Sequence, residues 1–309
     1  MTLDQLRAFV AVVEHGSIRG GARHLDIAQS GLTKQIRRLE QNLGVALFVR
    51  ANSGITLTTH GATLLARARI ILGECHRAEQ DFQSLREDLK GNLNVGASSE
   101  AFARYLPHCI GELRKAHPLI NVHLTSGPSA TLLSGIREGK LDFSVTLVSK
   151  GSDMTDLSST RISPARPLIL CRRGHPLREA KSILQLKGEE WVNTGRLGQP
   201  GTQSNRLGDW FRQNGMQEPH IAVTVESLLD TLNLVSITDY LFLGPSLVLN
   251  QSGFEFKLTS IDVSEPVPRA DLCVVQRAAV PPSPAAQTLA TMLISYSRML
   301  SQRVGAATN

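Results

Sequence analysis

Ser17-Ile18-Arg19-Gly20-Gly21-Ala22-Arg23-His24-Leu25-Asp26-Ile27-Ala28-Gln29-Ser30-Gly31-Leu32-Thr33-Lys34-Gln35-Ile36-Arg37-Arg38-Leu39-Glu40-Gln41-Asn42-Leu43 reads as two short helices joined by a tight turn. In the second helix Leu32, Ile36, Leu39 and Leu43 recur at intervals of four, three and four, which makes one buried stripe at the helical period. The opposite face presents Gln29, Ser30, Thr33, Lys34 and Arg37, a mixture of base-edge hydrogen bonders and phosphate-pairing cations suited to a DNA major groove. The first helix, residues 18–25, carries Gly20, Gly21 and Ala22, small enough for close helix approach at a steep crossing, and Asp26 marks the turn. An ordinary surface hairpin is the commoner origin of such a pattern taken alone, so what surrounds it decides.

Upstream, Leu3, Leu6, Val10 and Val13 lie at helical spacing in residues 1–15, an opening helix able to close the core of the pair, and Gly16 ends it. Downstream, residues 47–50 and 55–58 predict two short strands around Ala51-Asn52-Ser53-Gly54, a hairpin wing whose Arg50 and tip could touch a nucleic-acid backbone. Thr58 or Thr59 then caps a long helix. Its apolar residues Leu64, Ala68, Ile71, Cys75, Ala78, Phe82, Leu85 and Leu89 alternate in steps of four and three, and charged residues flank them. That heptad stripe predicts pairing with a second copy of the same helix; the competing reading is an amphipathic helix lying on its own domain. About 30 helical residues reach roughly 45 Å, enough to hold two reading heads on separated half-sites.

Lys90-Gly91-Asn92 breaks the helix, and short strands then alternate with helices. Strands are expected at 93–97, 120–125, 141–147, 168–171, 190–192, 221–225, 241–243 and 272–275. Helices are expected at 101–116, 130–138, near 203–214, at 228–236 and at 285–300. Such alternation implies a mostly parallel sheet. Pro-containing joints at 163–167 and 265–268 read as two crossings between subdomains, hence a hinged two-lobed sensor. The expected domains are 1–58 for nucleic-acid binding, 59–90 for the linking helix and 91–305 for ligand binding. The last splits into lobe I (91–163 and 267–305) and lobe II (164–266).

In open α/β sheets, ligands bind beyond the carboxyl ends of strands. That rule selects Ser98, Ser99, Ser126, Gly127 and Ser129 in the first lobe, and Thr194, Gly195, Gln199, Gly201, Thr202, Glu226 and Ser227 in the second. Each Ser or Thr serves equally well as a helix N-cap, so the set is more informative than any member. Arg196 could pair with a carboxylate.

The 309 residues suffice for two or three domains with a substantial core, and no run approaches the roughly 18 apolar residues that span a bilayer. The N-terminal stretch lacks the basic, apolar and cleavage regions of a secretory signal, so a cytoplasmic protein is expected. A formal net charge of +6 favours an anionic partner without proving one. Cys75, Cys109, Cys171 and Cys273 are widely separated, without metal-ligand spacing, and fit reduced thiols. Neither Cys75-His76 nor His108-Cys109 chelates well, because neighbours on a helix point about 100° apart. No metal and no catalytic residue is expected.

The order of motifs resembles the LysR-type bacterial transcriptional regulators. The residues that carry the resemblance are Ser17-Ile18-Arg19-Gly20-Gly21-Ala22, then 29–40, then Leu43-Gly44-Val45-Ala46-Leu47-Phe48-Val49-Arg50. That family commonly has Ser or Thr, then Gln, then Pro or Ser where this chain has Ala28-Gln29-Ser30. Ala28 therefore omits a helix-capping hydroxyl, in general worth about 0.5–2 kcal/mol. The resemblance implies a multidomain α/β chain: an N-terminal winged helix-turn-helix, a long dimerisation helix and a C-terminal two-lobed effector domain like a periplasmic binding protein. It implies a small inducer, often a carboxylate, in the cleft, with no cofactor besides that effector. Expected partners are promoter DNA, a second copy in a dimer, a tetramer built as a dimer of dimers, and RNA polymerase; a membrane is not among them. Arg137-Glu138-Gly139-Lys140-Leu141-Asp142-Phe143 matches the family's strand entry into this domain. Lys34, Arg37 and Arg50 are then expected at phosphates, and Gln29, Ser30 and Thr33 at bases or sugars.

Two other classes compete. A solute sensor whose N-terminal helices only mediate assembly would lack DNA affinity. An enzyme would use Ser98, His108 or Cys171-Arg172-Arg173-Gly174-His175, but none of these sits in a nucleophile elbow, phosphate loop or metal motif.

Overall fold

The opening helix α1 (Leu3–Glu14) starts from a reciprocal cap: the Thr2 hydroxyl accepts the Gln5 N–H, and the Gln5 side chain accepts the Thr2 N–H. The computed structural model describes residues 1–51, 54–84, 89–149, 151–165, 167–195, 198, 206–250 and 257–307. Within these, the side chains of 50, 51, 54, 76, 77, 79–84, 250 and 303–307 lie outside the description. The stripe that α1 buries is Leu6, Phe9 and Val12 with Ala8; Leu3 is exposed, and Val10 and Val13 only flank the core. Phe9, outside the expected set, is fully buried, and its ring meets Phe48 with centroids 5.2 Å apart.

Helix α2 (Ile18–His24) is capped by Ser17, whose Oγ accepts the Gly20 N–H at 3.0 Å. A Cβ on Gly21 would fall 3.0 Å from backbone atoms of Ala11 and Val12, so α2 touches α1 through glycine. Asp26 turns the chain at φ 53°, a left-handed conformation that Asp tolerates better than most residues. Helix α3 (Gln29–Leu43) follows and buries Leu32, Ile36 and Leu39. Leu43 departs from the expected stripe: it is 39% exposed. The helix ends there at left-handed Gly44, and Leu47, only 1% exposed, fills the core instead.

Strands β1 (Phe48–Ala51) and β2 (Gly54–Leu57) pair antiparallel in the register Phe48↔Leu57 to Ala51↔Gly54, one residue from the expected positions. Thr58 starts helix α4 (Thr59–Ser84), its Oγ1 accepting the Gly61 N–H at 2.9 Å. A Cβ at Gly61 would collide with the Leu47 carbonyl oxygen, so the helix start is pressed against the root of the hairpin. Ala68 is buried in the same core as α1 and α3, with Leu64, Leu65, Ile71 and Leu72 packed around it. The first half of the heptad stripe is thus used within its own unit. Cys75 is half-buried and Ala78 exposed, while Phe82 and Leu85 lie outside the described side chains.

The chain divides into two units, Met1–Asp88 with Arg137–Lys140, and Leu89–Ile136 with Leu141–Asn309. In the second, β3 (Gly91–Ala97), β4 (Ile120–Ser126), β5 (Phe143–Val148), β6 (Leu157–Ala165) and β12 (Ala270–Arg277) make one sheet in the order β4-β3-β5-β12-β6. The other sheet contains β7 (Pro167–Arg172), β8 (Glu190–Asn193), β9 (His220–Thr224), β10 (Leu241–Pro245) and β11 (Leu258–Ile261), ordered β11-β7-β10-β8-β9. The expected mostly parallel sheet is corrected to two mixed ones. β12 runs antiparallel to β5 and β6, and β7 antiparallel to β10 and β11, because the chain crosses between sheets and each crossing strand enters against its neighbours. β6 continues past Ser163 to Ala165, which still pairs with Ala270, so the first crossing falls between 165 and 167.

Helices cover the sheets: α5 (Ser99–Arg104), α6 (Leu106–Ala116), α7 (Ser129–Arg137) and α10 (Pro284–Ala307) in the first lobe, α8 (Arg206–Gln213) and α9 (Leu228–Ile237) in the second. The single helix expected at 101–116 is broken at Tyr105, since Pro107 in the first turn of α6 has no N–H to continue it. Leu93, Val95, Phe143, Leu272 and Leu289 centre the first core, and Trp191 with Trp210 the second. Among the described residues no helix is long and apolar enough to cross a membrane, and no cluster of potential ligands could hold a metal ion.

Candidate nucleic-acid interface and effector cavity

Helix α3 presents Gln29, Ser30, Lys34, Arg37 and Arg38 exposed along one side, with Thr33 half-buried among them. Their placement follows from the buried face: fixing Leu32, Ile36 and Leu39 in the core forces these positions outward. Lys34, Arg37 and Arg38 have no ion-pair partner among the described residues, so their charges face solvent. The Thr33 hydroxyl donates to the Gln29 carbonyl at 2.8 Å, leaving its oxygen as an acceptor. Ala28 is extended (φ −63°, ψ 138°) and provides no side-chain acceptor for the first N–H groups of α3. The Arg50 side chain lies outside the described residues.

The second unit holds a cavity of about 600 Å³ at the carboxyl ends of β3, β4, β8 and β9. Of the residues selected from sequence, Ser98, Ser99, Ser126, Gly127, Ser129, Thr194, Gly195, Glu226 and Ser227 line it together. Gly201 and Thr202 lie outside the described residues, as do Arg196 and Gln199. Several of the hydroxyls are already engaged. Ser98 caps α5 by accepting the Ala101 N–H at 3.4 Å, Ser227 accepts the Asp230 N–H at 3.3 Å, and Ser129 accepts the Thr146 hydroxyl at 2.9 Å. Leu147, Leu207 and Phe242 supply apolar wall.

Two charged residues of this wall were missed in the sequence, Glu100 and Arg206. Glu100 is 7% exposed, and burial pushes its carboxyl above the usual range against the opposing pull of Arg104 and Arg206. Burial also lowers the Arg206 guanidinium from its ordinary value, opposed by Glu100. One Arg206 terminal nitrogen donates to the Pro268 carbonyl at 2.9 Å, while its buried Nε has no hydrogen-bond partner. The only advance signal was the position of Glu100 directly after Ser98-Ser99; nothing around Arg206 distinguished it from a solvated cation.

The buried Cys109, Cys171 and Cys273 thiols are each pushed up to about 11 by burial, which holds them protonated and poorly nucleophilic. Nothing in the cavity pairs a nucleophile with a base among the described residues.

A winged helix-turn-helix with a cationic outward helix, on the same chain as a two-lobed α/β unit containing a ligand-sized cavity, defines a DNA-binding regulator of the ligand-responsive class. Residues 3–62 match the family model for bacterial regulatory helix-turn-helix proteins of the lysR family, and residues 86–298 match the LysR substrate binding domain. The chain belongs to the LysR family of DNA-binding transcriptional regulators, and its C-terminal domain is the family's effector-binding domain. It is 28% identical over 231 residues to the HTH-type transcriptional regulator CfxR of Cupriavidus necator, covering 74% of this chain and 70% of the relative. A full-length, singly substituted OxyR from Pseudomonas aeruginosa shares the fold at TM-score 0.69 and 22% identity, covering 95% of this chain and 94% of that one. Full-length CbnR complexed with its target DNA superposes at TM-score 0.64 and 22% identity, covering 96% and 100%. The curated relatives are transcriptional regulators rather than enzymes.

Proposed function

We propose that the protein binds promoter DNA through α3, with Lys34, Arg37 and Arg50 on phosphates and Gln29, Ser30 and Thr33 on bases or sugars. The observation that carries this reading is the continuous outward face of α3, whose cations have no partner of their own among the described residues. Residues 1–58 form the reading head, 59–90 the link and 91–305 the sensor in this account. The distal part of α4, beyond the residues packed in the head core, pairs two chains, and two such dimers assemble into a tetramer acting on RNA polymerase in the cytoplasm. The CbnR–DNA complex supports the DNA reading by analogy of fold.

The effector is a small molecule with an anionic group, held in the cavity lined by Ser98, Ser99, Ser126, Gly127, Ser129, Thr194 and Glu226. Arg206, whose Nε lacks a partner, supports an anionic group. Effector binding biases lobe closure and thereby the placement of the heads. The test is DNA binding by the full chain with and without candidate carboxylates. A ligand that shifts DNA affinity or footprint supports the reading, and indifference to every ligand bound in the cavity counts against it.

A further inference from the structure

Glu100 and Arg206 both line the cavity, and they attract one another without reaching ion-pair distance. Glu100 comes from the first lobe, at the start of α5, and Arg206 from the second, at the start of α8. Each is poorly hydrated for a charged group: the Glu100 side chain is buried, and the Arg206 Nε is both buried and unbonded. Arg104, on the same helix, also draws on the Glu100 carboxylate, whereas Arg206 is answered across the cavity by Glu100 alone among the groups that act on it. Charge placed in this way is costly to leave unpaired, so the space between Glu100 and Arg206 favours an occupant that carries both complementary charges.

We propose that the effector is an α-amino acid or a close derivative, its carboxylate held by Arg206 and its ammonium group by Glu100. This rests on the reading of the cavity as the effector site. An α-amino acid carries both groups on one carbon, which matches two opposite charges that face one cavity but stand apart. Charge balance points the same way. The ionisable residues lining the cavity, among those described, are Glu100, Glu226 and Arg206, two carboxylates against one guanidinium. Among these residues, a purely anionic guest would leave Glu100 facing it, and a purely cationic one would leave Arg206 without a counter-charge. A zwitterion answers both. Leu147, Leu207 and Phe242 leave apolar wall for a side chain, and about 600 Å³ falls within the range of small-molecule sites.

The test is calorimetric titration of the full-length protein with free L-α-amino acids of each side-chain class. For every binder, the N-acetyl derivative and the 2-hydroxy acid with the same side chain are titrated as well. The expected result is that at least one free amino acid binds and that both analogues bind about tenfold or more weakly, the usual cost of a lost hydrogen bond to a charged group. Glu100→Gln should narrow the gap between amino acid and hydroxy acid, and Arg206→Gln should weaken both. An unchanged urea unfolding transition of the second unit shows that each variant is folded. The inference is overturned if the hydroxy acid binds as tightly as the amino acid, if Glu100→Gln leaves the gap unchanged, or if no amino acid binds at millimolar concentration. Binding of hydroxy or oxo acids in place of amino acids would still uphold an anionic effector, whereas a cavity that takes none of these compounds would remove that reading too.

Discussion

The Glu40 carboxylate, on the last turns of α3, accepts the backbone N–H of Leu47 at 2.8 Å and also reaches the Phe48 N–H at 3.4 Å. One side chain of α3 therefore fixes the root of the wing. Glu40→Ala leaves a partly buried N–H without an acceptor, which costs about 1–3 kcal/mol. The full chain should unfold at lower urea and bind DNA more weakly. Equal stability and equal affinity would show that the link is dispensable.

Ala28 is where a gain should be available. Its backbone already has the extended conformation of an N-cap, but it offers no acceptor. Ala28→Ser should raise stability by about 0.5–2 kcal/mol, read as a higher Tm of the N-terminal transition. An unchanged or lower Tm would mean that the first N–H groups of α3 are satisfied in another way.

Gln29 stands at the exposed start of α3, where an amide has the two-fold hydrogen-bonding pattern that suits adenine. Gln29→Ala should relax preference at one base position in each half-site, by about 1–3 kcal/mol, with little change in non-specific binding. Binding selections with randomised operators measure this; an unaltered preference at every position would exclude Gln29 from base reading.

Acid sensitivity of the second unit should depend in part on Glu265. The Ser182 hydroxyl and the Ile183 N–H donate to its carboxylate and hold its pKa below the ordinary range. The charged form is the one stabilised in the fold. The contribution is therefore complete above the unfolded carboxyl pKa and lost as pH falls through the lower folded value. Glu265→Gln should accordingly be less stable than the parent at neutral pH, with the gap closing in acid. Urea unfolding at several pH values checks this, and a gap that widens in acid would reverse the assignment.

How far the fold could be read in advance depended on how strongly each element is patterned. Leu32, Ile36 and Leu39 announce α3 because helical spacing and burial coincide there, and Asp26 announces the turn that its positive φ makes. Strand β6 escaped because Ser158-Ser159-Thr160-Arg161 is polar; it is an edge strand, held mainly by its ladder to β12 and free to expose one face. The polar loops of the cavity were legible through the rule about strand ends. Glu100 and Arg206 were not, since what sets them apart is burial and facing one cavity from two lobes, and apart from the place of Glu100 after Ser98-Ser99 this leaves no local pattern.

The central claim is that α3 reads operator DNA with Lys34 and Arg37 held against phosphates. The most direct measurement is affinity across a salt series for the DNA upstream of the protein's own gene, beside an unrelated fragment and with a Lys34→Ala/Arg37→Ala variant. The account predicts tighter binding to the upstream DNA. In the variant it predicts weaker binding to both fragments and a salt slope shallower by about one for each cation removed. Equal affinity for the two fragments, with a salt slope that the double substitution leaves unchanged, would contradict it.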